Sequence, residues 1–183
     1  MSHEFVKKLV TSAMLLSVGI ILPFFTGQVP QIGSMLLPMH LPVFLCGLLC
    51  GWQYGLAVGF ILPLMRSLLF TMPPLFPTAI AMAFELAAYG FIIGYLYKKA
   101  RWHCMKSLLR CMIIAMLGGR AVWGILMIIL LGIDGGTFTF SAFMAGAFLN
   151  AIPGIILQFL LIPGIMLALN KTHFARFDKS KKE

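Results

Sequence analysis

The chain alternates long apolar runs with short polar or Pro/Gly-containing segments. Division at these segments gives six apolar runs. Their lengths are close to the roughly 17 to 25 residues that a helix needs to cross a bilayer core of about 30 Å. The runs cover residues 9–25, 37–51, 54–70, 77–97, 111–131 and 140–169. The last run is long enough to tilt, or to be broken at Pro153 or Pro163. The pattern predicts an all-α membrane protein with six transmembrane helices in a single domain, residues 1–183, that ends in a basic tail, residues 170–183.

The composition excludes an ordinary soluble domain. Hydrophobic residues make up 61% of the 183 residues and charged residues only 10%, whereas soluble domains carry about 25% charged residues. The net charge of +9 does not indicate a nucleic-acid binder, because lysine and arginine flank the apolar runs instead of alternating with aromatic residues along one face. The four cysteines lack metal-ligand spacing and are predicted to be free thiols. No metal or other cofactor is predicted.

The positions of the basic residues predict the orientation. Twelve of the fourteen Lys and Arg residues lie in the N-terminus, in the segment 98–110 and in the C-terminal tail. The loops on the opposite side carry none. Since cytoplasmic loops are enriched in Lys and Arg, both termini and the central basic segment are predicted to be cytoplasmic.

Glycine occurs at every fourth position from Gly47 through Gly51 and Gly55 to Gly59. Glycines on one helical face let two backbones approach closely. We interpret this ladder as a seam between the second and third runs, one that fixes the depth of the third run and of its buried charge, Arg66.

Three charged residues fall inside apolar runs: Arg66, Glu85 and Arg120. A charge in the hydrocarbon core costs several kcal/mol unless it is paired or faces a cavity, so each is a candidate functional residue. One interpretation is a structural salt bridge between Glu85 and either arginine. Two arginines facing one glutamate would, however, leave a buried positive charge that favours an anionic ligand. Asn150, at an estimated depth near that of Glu85, and His40, near the outer start of the second run, add polar groups in the outer half of the membrane.

Motifs for several other activities are absent. The sequence contains no phosphate-binding G-x-x-x-x-G-K-[ST] loop, no H-E-x-x-H and no G-x-S-x-G. An enzymatic role is therefore not predicted. The alternative that stays open is an autonomous proton-coupled transporter or a small membrane enzyme that uses Glu85 as its proton-handling group.

Several stretches, in this order, resemble the substrate-binding S component of energy-coupling factor (ECF) vitamin transporters, in the branch assigned to pantothenate and B6 compounds. They are residues 36–51 (LLPMHLPVFLCGLLCG), 63–66 (PLMR), 72–75 (MPPL), 81–90 (AMAFELAAYG) and 150–154 (NAIPG). The resemblance spans essentially the whole chain.

The resemblance implies a mechanism. An S component captures its vitamin outside the cell, docks on a membrane scaffold protein driven by two cytoplasmic ATPases, and topples in the membrane to release the substrate inside. It implies a prokaryotic plasma-membrane protein. The docking motif, usually two alanines four residues apart on the first helix, corresponds here to Ala13 and Ser17.

The resemblance also implies substrate-binding roles for Arg66, Glu85 and Asn150, with His40 and Arg120 as further candidates. Two arginines favour an acid, so pantothenate is the first expectation. One glutamate would instead suit the amine of a B6 vitamer, or the ring nitrogens of a folate-like or pyrimidine compound.

Overall fold

A computed structural model describes residues 3–26, 35–100, 104–133 and 139–171, and within these ranges it contains helices and no strands. The helices are α1 (His3–Ile21), α2 (His40–Cys50), α3 (Trp52–Phe70), α4 (Ile80–Lys99), α5 (Met105–Ile133), α6 (Phe140–Met144) and α7 (Ile152–Lys171). A short 3₁₀ segment, Leu22–Thr26, follows α1, and wide helical turns at Leu75–Ala79 and Ala145–Leu149 precede α4 and follow α6. Residues 27–34, between the first and second apolar runs, and most of the predicted basic tail lie outside the described residues.

Five helical segments are long and apolar enough to cross a membrane: His3–Phe25, Trp52–Phe70, Leu75–Lys99, Met105–Ile133 and Ile152–Asn170. Their outward surfaces carry large apolar side chains in contact with the surroundings, including Phe25, Leu68 and Leu160. In water such a surface would be unfavourable, but against lipid tails it is not. The predicted fold class, an all-α membrane protein, is confirmed.

The second apolar run forms a shorter helix than the sequence predicts. The run covers 37–51, but α2 begins at His40 and has 11 residues, about 16 Å at 1.5 Å per residue. Leu37 has a positive φ of 50°, and its carbonyl accepts a bond from the His40 amide at 3.1 Å. This turn places His40 at the first position of α2 instead of inside a longer helix.

The sixth run is interrupted before α7. It is divided into α6, the wide turn Ala145–Leu149 and α7, which begins at Ile152. Pro153 therefore lies in the first turn of a helix, where a proline removes no intrahelical bond. Pro163 lies inside α7, which continues past it.

The centre of the bundle is α4, which contacts α2, α3 and α5. Its buried positions occur around most of its circumference, and the largest fully buried side chains include Leu86, Tyr89 and Ile93. At its buried positions, such a helix holds a polar group away from both lipid and water. That position explains why Glu85 needs partners from other helices.

The glycine ladder packs against α4 as well as joining α2 to α3. A Cβ on Gly55 would overlap Gly47 and Gly90, and one on Gly59 would overlap the backbone of Leu86. Gly51 has a φ of 102°, which favours glycine, and it forms the reversal between α2 and α3. The seam therefore joins three helices, and its contact at Leu86 is next to Glu85.

Candidate functional site

Glu85 is the centre of a buried polar cluster. Arg120 lies with Nη1 2.9 Å from Glu85 Oε1, and the Tyr89 hydroxyl donates to the same oxygen at 2.9 Å. His40 Nε2 lies 3.8 Å from it, which is too long for a hydrogen bond. We define these four residues as the Glu85 cluster. Of the two salt bridges that the sequence left open, the structure has the one between Arg120 and Glu85.

Three helices bring the Glu85 cluster together. Glu85 and Tyr89 are four residues apart on α4, so they share one face and meet along the helix. Arg120 lies near the middle of α5, which packs on α4. His40 lies in the first turn of α2. The centroid of its ring is 5.1 Å from the centroid of the Tyr89 ring.

His40 differs from its neighbours in having no hydrogen bond through its ring. The residue is 2% exposed, and both ring nitrogens are buried without a hydrogen-bond partner among the described residues. A buried polar group without a partner loses about 1–3 kcal/mol relative to a bonded one. Such an atom beside a cavity therefore points to a group that binds there.

A cavity of about 30 Å³ lies beside the Glu85 cluster. Its lining combines four polar side chains with apolar ones: His40, Tyr89, Arg120 and Gln158, together with Leu37, Met116, Leu117 and Ile155. Gln158 on α7 is 2% exposed and donates a long hydrogen bond of 3.4 Å to the Leu37 carbonyl. The lining has the composition of a small-molecule site, with apolar walls and a few converging polar groups, but its volume is far below the roughly 300 Å³ or more of such sites.

Arg66 lies outside this cluster. Its Nη1 donates to the Ile20 carbonyl at 2.8 Å, and its guanidinium stacks near the rings of Phe24 at 5.3 Å and Phe70 at 5.5 Å. The negative end of the α1 dipole and two aromatic faces stabilise its charge. The structure therefore does not bring the two buried arginines together, contrary to the convergence that the sequence suggested.

Asn150 also lies apart from the Glu85 cluster. It is exposed in the turn that leads into α7, and its backbone N–H donates to the Ala145 carbonyl at 2.9 Å. A binding role for Asn150 stays a prediction.

The proposed docking residues, Ala13 and Ser17, are both exposed one turn apart on α1. The Ser17 hydroxyl donates to the Ala13 carbonyl at 3.0 Å. Because its hydrogen bond is made within its own helix, this serine presents a small surface to a neighbouring helix without needing a polar partner there.

Tyr89 and Gln158 are not among the site residues that the sequence predicts. The spacing of four residues between Glu85 and Tyr89 was a signal, since it places the hydroxyl beside the carboxylate on one helical face. For Gln158 the only signal was an amide in an apolar run. Its placement depends on how α7 packs against the residues before α2.

Comparison with known proteins decides the family. A family model for the ECF transporter substrate-specific component matches residues 7–166. The chain belongs to this family. Searches of curated proteins and of solved structures found no match.

Membership has three consequences for this S component. Its role in general terms is that of the substrate-binding subunit of an ECF transporter. It is a multi-pass membrane protein, in agreement with its apolar helices. Members of the family are transporter subunits and not enzymes. The vitamin branch and the site residues do not follow from the match.

Proposed function

We propose that this S component binds a small water-soluble vitamin or vitamin precursor at the cavity beside the Glu85 cluster. His40, Glu85 and Arg120 are the proposed contacts carried over from the sequence, and Tyr89 and Gln158 join them from the structure. The cavity contains several polar groups within an apolar bundle, so it offers a polar solute hydrogen bonds that the surrounding membrane does not.

The observation that carries the proposal is the unbonded imidazole of His40. In the described part of the chain, its two nitrogens are the only fully buried side-chain nitrogen or oxygen atoms without a hydrogen-bond partner. They lie beside a cavity whose other polar groups already bond to protein atoms. A substrate group could form hydrogen bonds with these nitrogens, with which no described protein atom forms one.

His40→Leu tests this proposal directly. The substitution keeps an apolar side chain of similar size and removes two nitrogens that make no protein hydrogen bond. We expect the thermal midpoint of the purified protein to stay within a few degrees, a change of about 1 kcal/mol or less. We expect substrate affinity to fall by about tenfold or more, the effect of losing about 1.4 kcal/mol.

The control for this experiment is Leu160→Ala, because Leu160 is 74% exposed on α7 and is not among the residues that line the cavity. Binding is measured with the small molecule identified by mass spectrometry of the purified protein, or with a panel of radiolabelled vitamins. Unchanged affinity in His40→Leu would contradict the proposed site. Loss of affinity in Leu160→Ala as well would indicate a general loss of structure.

We further propose that transport requires a membrane scaffold subunit and two cytoplasmic ATPases, with both termini cytoplasmic in a prokaryotic plasma membrane. The exposed Ala13–Ser17 face of α1 is the proposed contact with the scaffold.

Proteoliposomes that contain the complete module should take up substrate only with internal ATP. Ser17→Leu should reduce uptake while substrate binding remains, because a bulky side chain holds the partner helix away. Uptake by this chain alone under a pH gradient would instead support the proton-coupled alternative.

Pantothenate remains one expectation for the substrate. Two converging arginines would favour this acid, but only Arg120 lines the cavity. The remaining candidates are a B6 vitamer and a folate-like or pyrimidine compound, for which Glu85 supplies the acceptor.

A further inference from the structure

The charges around the cavity cancel. Arg120 and Glu85 form a pair at 2.9 Å. The second buried arginine, Arg66, donates to the Ile20 carbonyl and lies over two phenylalanine rings. The other polar lining residues are neutral: Tyr89 carries a phenol and Gln158 an amide. His40 makes no hydrogen bond through either nitrogen, which fits a neutral imidazole, since a buried imidazolium with two unbonded N–H groups would be far more costly.

A charged ligand group would upset this balance. A carboxylate in the cavity would compete with Glu85 for the one arginine, and an ammonium would compete with Arg120 for the one glutamate. Either leaves a charge without a partner in a medium of low dielectric, at a cost of several kcal/mol. A neutral polar group adds hydrogen bonds without that cost.

The available hydrogen-bonding atoms are of both kinds. A neutral imidazole has one donor and one acceptor nitrogen. Arg120 has further N–H groups besides the Nη1 that faces Glu85, and the contacts of Glu85 fall on Oε1. The matching ligand group therefore presents an acceptor and a donor close together, as a cyclic amide, a ureido group or a ring nitrogen beside a hydroxyl does.

The size of the cavity adds a requirement. A volume of about 30 Å³ is enough for no more than a few water molecules, so a ring must move part of the lining. Met116 lines the same cavity, and an unbranched thioether side chain rearranges easily. The polar groups can then keep their positions while the Met116 side chain changes its conformation to admit a ring.

We propose that the substrate group in this cavity is net-neutral and presents both a hydrogen-bond donor and an acceptor, instead of a carboxylate or an ammonium. The inference rests on the proposed function, because it concerns the same cavity. The cavity would then select among vitamins by the charge of the group that they bury, and it would disfavour a substrate that places its carboxylate there.

Compounds that share a scaffold and differ at one group, neutral in one and charged in the other, test this inference on the purified chain. The probes are pyridoxine against 4-pyridoxate and pyridoxamine, pantothenol against pantothenate, and nicotinamide against nicotinate, each titrated by calorimetry. We expect the neutral member of the scaffold that binds to have at least about tenfold higher affinity than its charged partners. A tenfold preference for the acid or the amine would overturn the neutral class while leaving the proposed function in place.

Glu85→Gln provides the second arm. It leaves Arg120 without its carboxylate, so the preference should move towards the acid of the same scaffold by about tenfold. Glu4→Gln is the matched control, because it changes the net charge equally at an exposed position on α1 and should leave the preference unchanged. If neither these probes nor the small molecule identified by mass spectrometry bound the original chain, the proposed vitamin site would be contradicted along with the inference.

Discussion

Arg66 and Arg120 are both buried arginines in apolar helices, with exposures of 3% and 7%, yet their surroundings are opposite. Arg120 faces a carboxylate beside a cavity, together with other polar side chains. Arg66 faces a backbone carbonyl at the end of α1 and the two rings of Phe24 and Phe70. The first arrangement leaves hydrogen-bonding groups available to a ligand, whereas the second uses the guanidinium to join α1 to α3.

The comparison separates two ways of placing a positive charge in a membrane protein. A carboxylate neutralises the charge but needs its own hydrogen bonds, here from Tyr89. A helix C-terminus and aromatic faces stabilise the charge partially and need no second ion. Burial and residue type alone therefore do not identify a binding residue, because the partners decide its role.

The largest expected effect comes from removing the partner of Arg120. Glu85→Ala leaves a buried guanidinium without its carboxylate, which typically destabilises a fold by about 3–5 kcal/mol. We expect that loss in the free energy of unfolding, measured by SDS titration in detergent micelles, together with loss of substrate binding.

The double variant Glu85→Ala/Arg120→Ala is the control for Glu85→Ala. Because it removes both charges, it should be destabilised by less than the sum of the two single variants. Additive losses would mean that the two side chains do not interact as the structure has them.

An intermediate effect is expected for Arg66→Met, which keeps the apolar stem and removes the guanidinium. Loss of a charged hydrogen bond and two ring contacts should lower the free energy of unfolding by about 2–3 kcal/mol. Substrate affinity of the folded protein should change by less than about threefold.

The matched variant is Arg120→Met, which should lose binding. If Arg66→Met folded normally but failed to bind, Arg66 would be a substrate residue, as the sequence predicted, and the contrast between the two arginines would be wrong.

A smaller effect is expected at the seam. Gly59→Ala places a Cβ against the backbone of Leu86, so α4 must shift at the residue next to Glu85. Overpacking of this kind costs about 1–3 kcal/mol, and we expect substrate affinity to fall with it.

Gly164→Ala on α7 is the control for Gly59→Ala, since an added Cβ there meets nothing within 4 Å. A gain or no change is expected from the higher helix propensity of alanine. Equal effects of the two substitutions in thermal unfolding would contradict a specific role for the seam.

The sequence by itself determined the class of fold and the identity of the polar residues inside it. Apolar runs of membrane-spanning length can form few structures other than helices, because a lipid-exposed backbone must satisfy its own hydrogen bonds. The cost of burying charge likewise made Arg66, Glu85 and Arg120 conspicuous without any coordinates. The family followed from the order of motifs along the whole chain, and the comparison agrees.

Only the tertiary structure decided which of these residues meet. Whether Glu85 pairs with Arg66 or Arg120 depends on the rotation and depth of α3, α4 and α5, which a pattern of apolar residues leaves undetermined. The three-helix glycine seam sets how α3 packs on α4, while the turn at Leu37 and the break before α7 set where α2 and α7 begin. They bring His40, Tyr89 and Gln158 to Arg120, and leave Arg66 with α1, because side chains from distant parts of the chain converge only once the helices have packed.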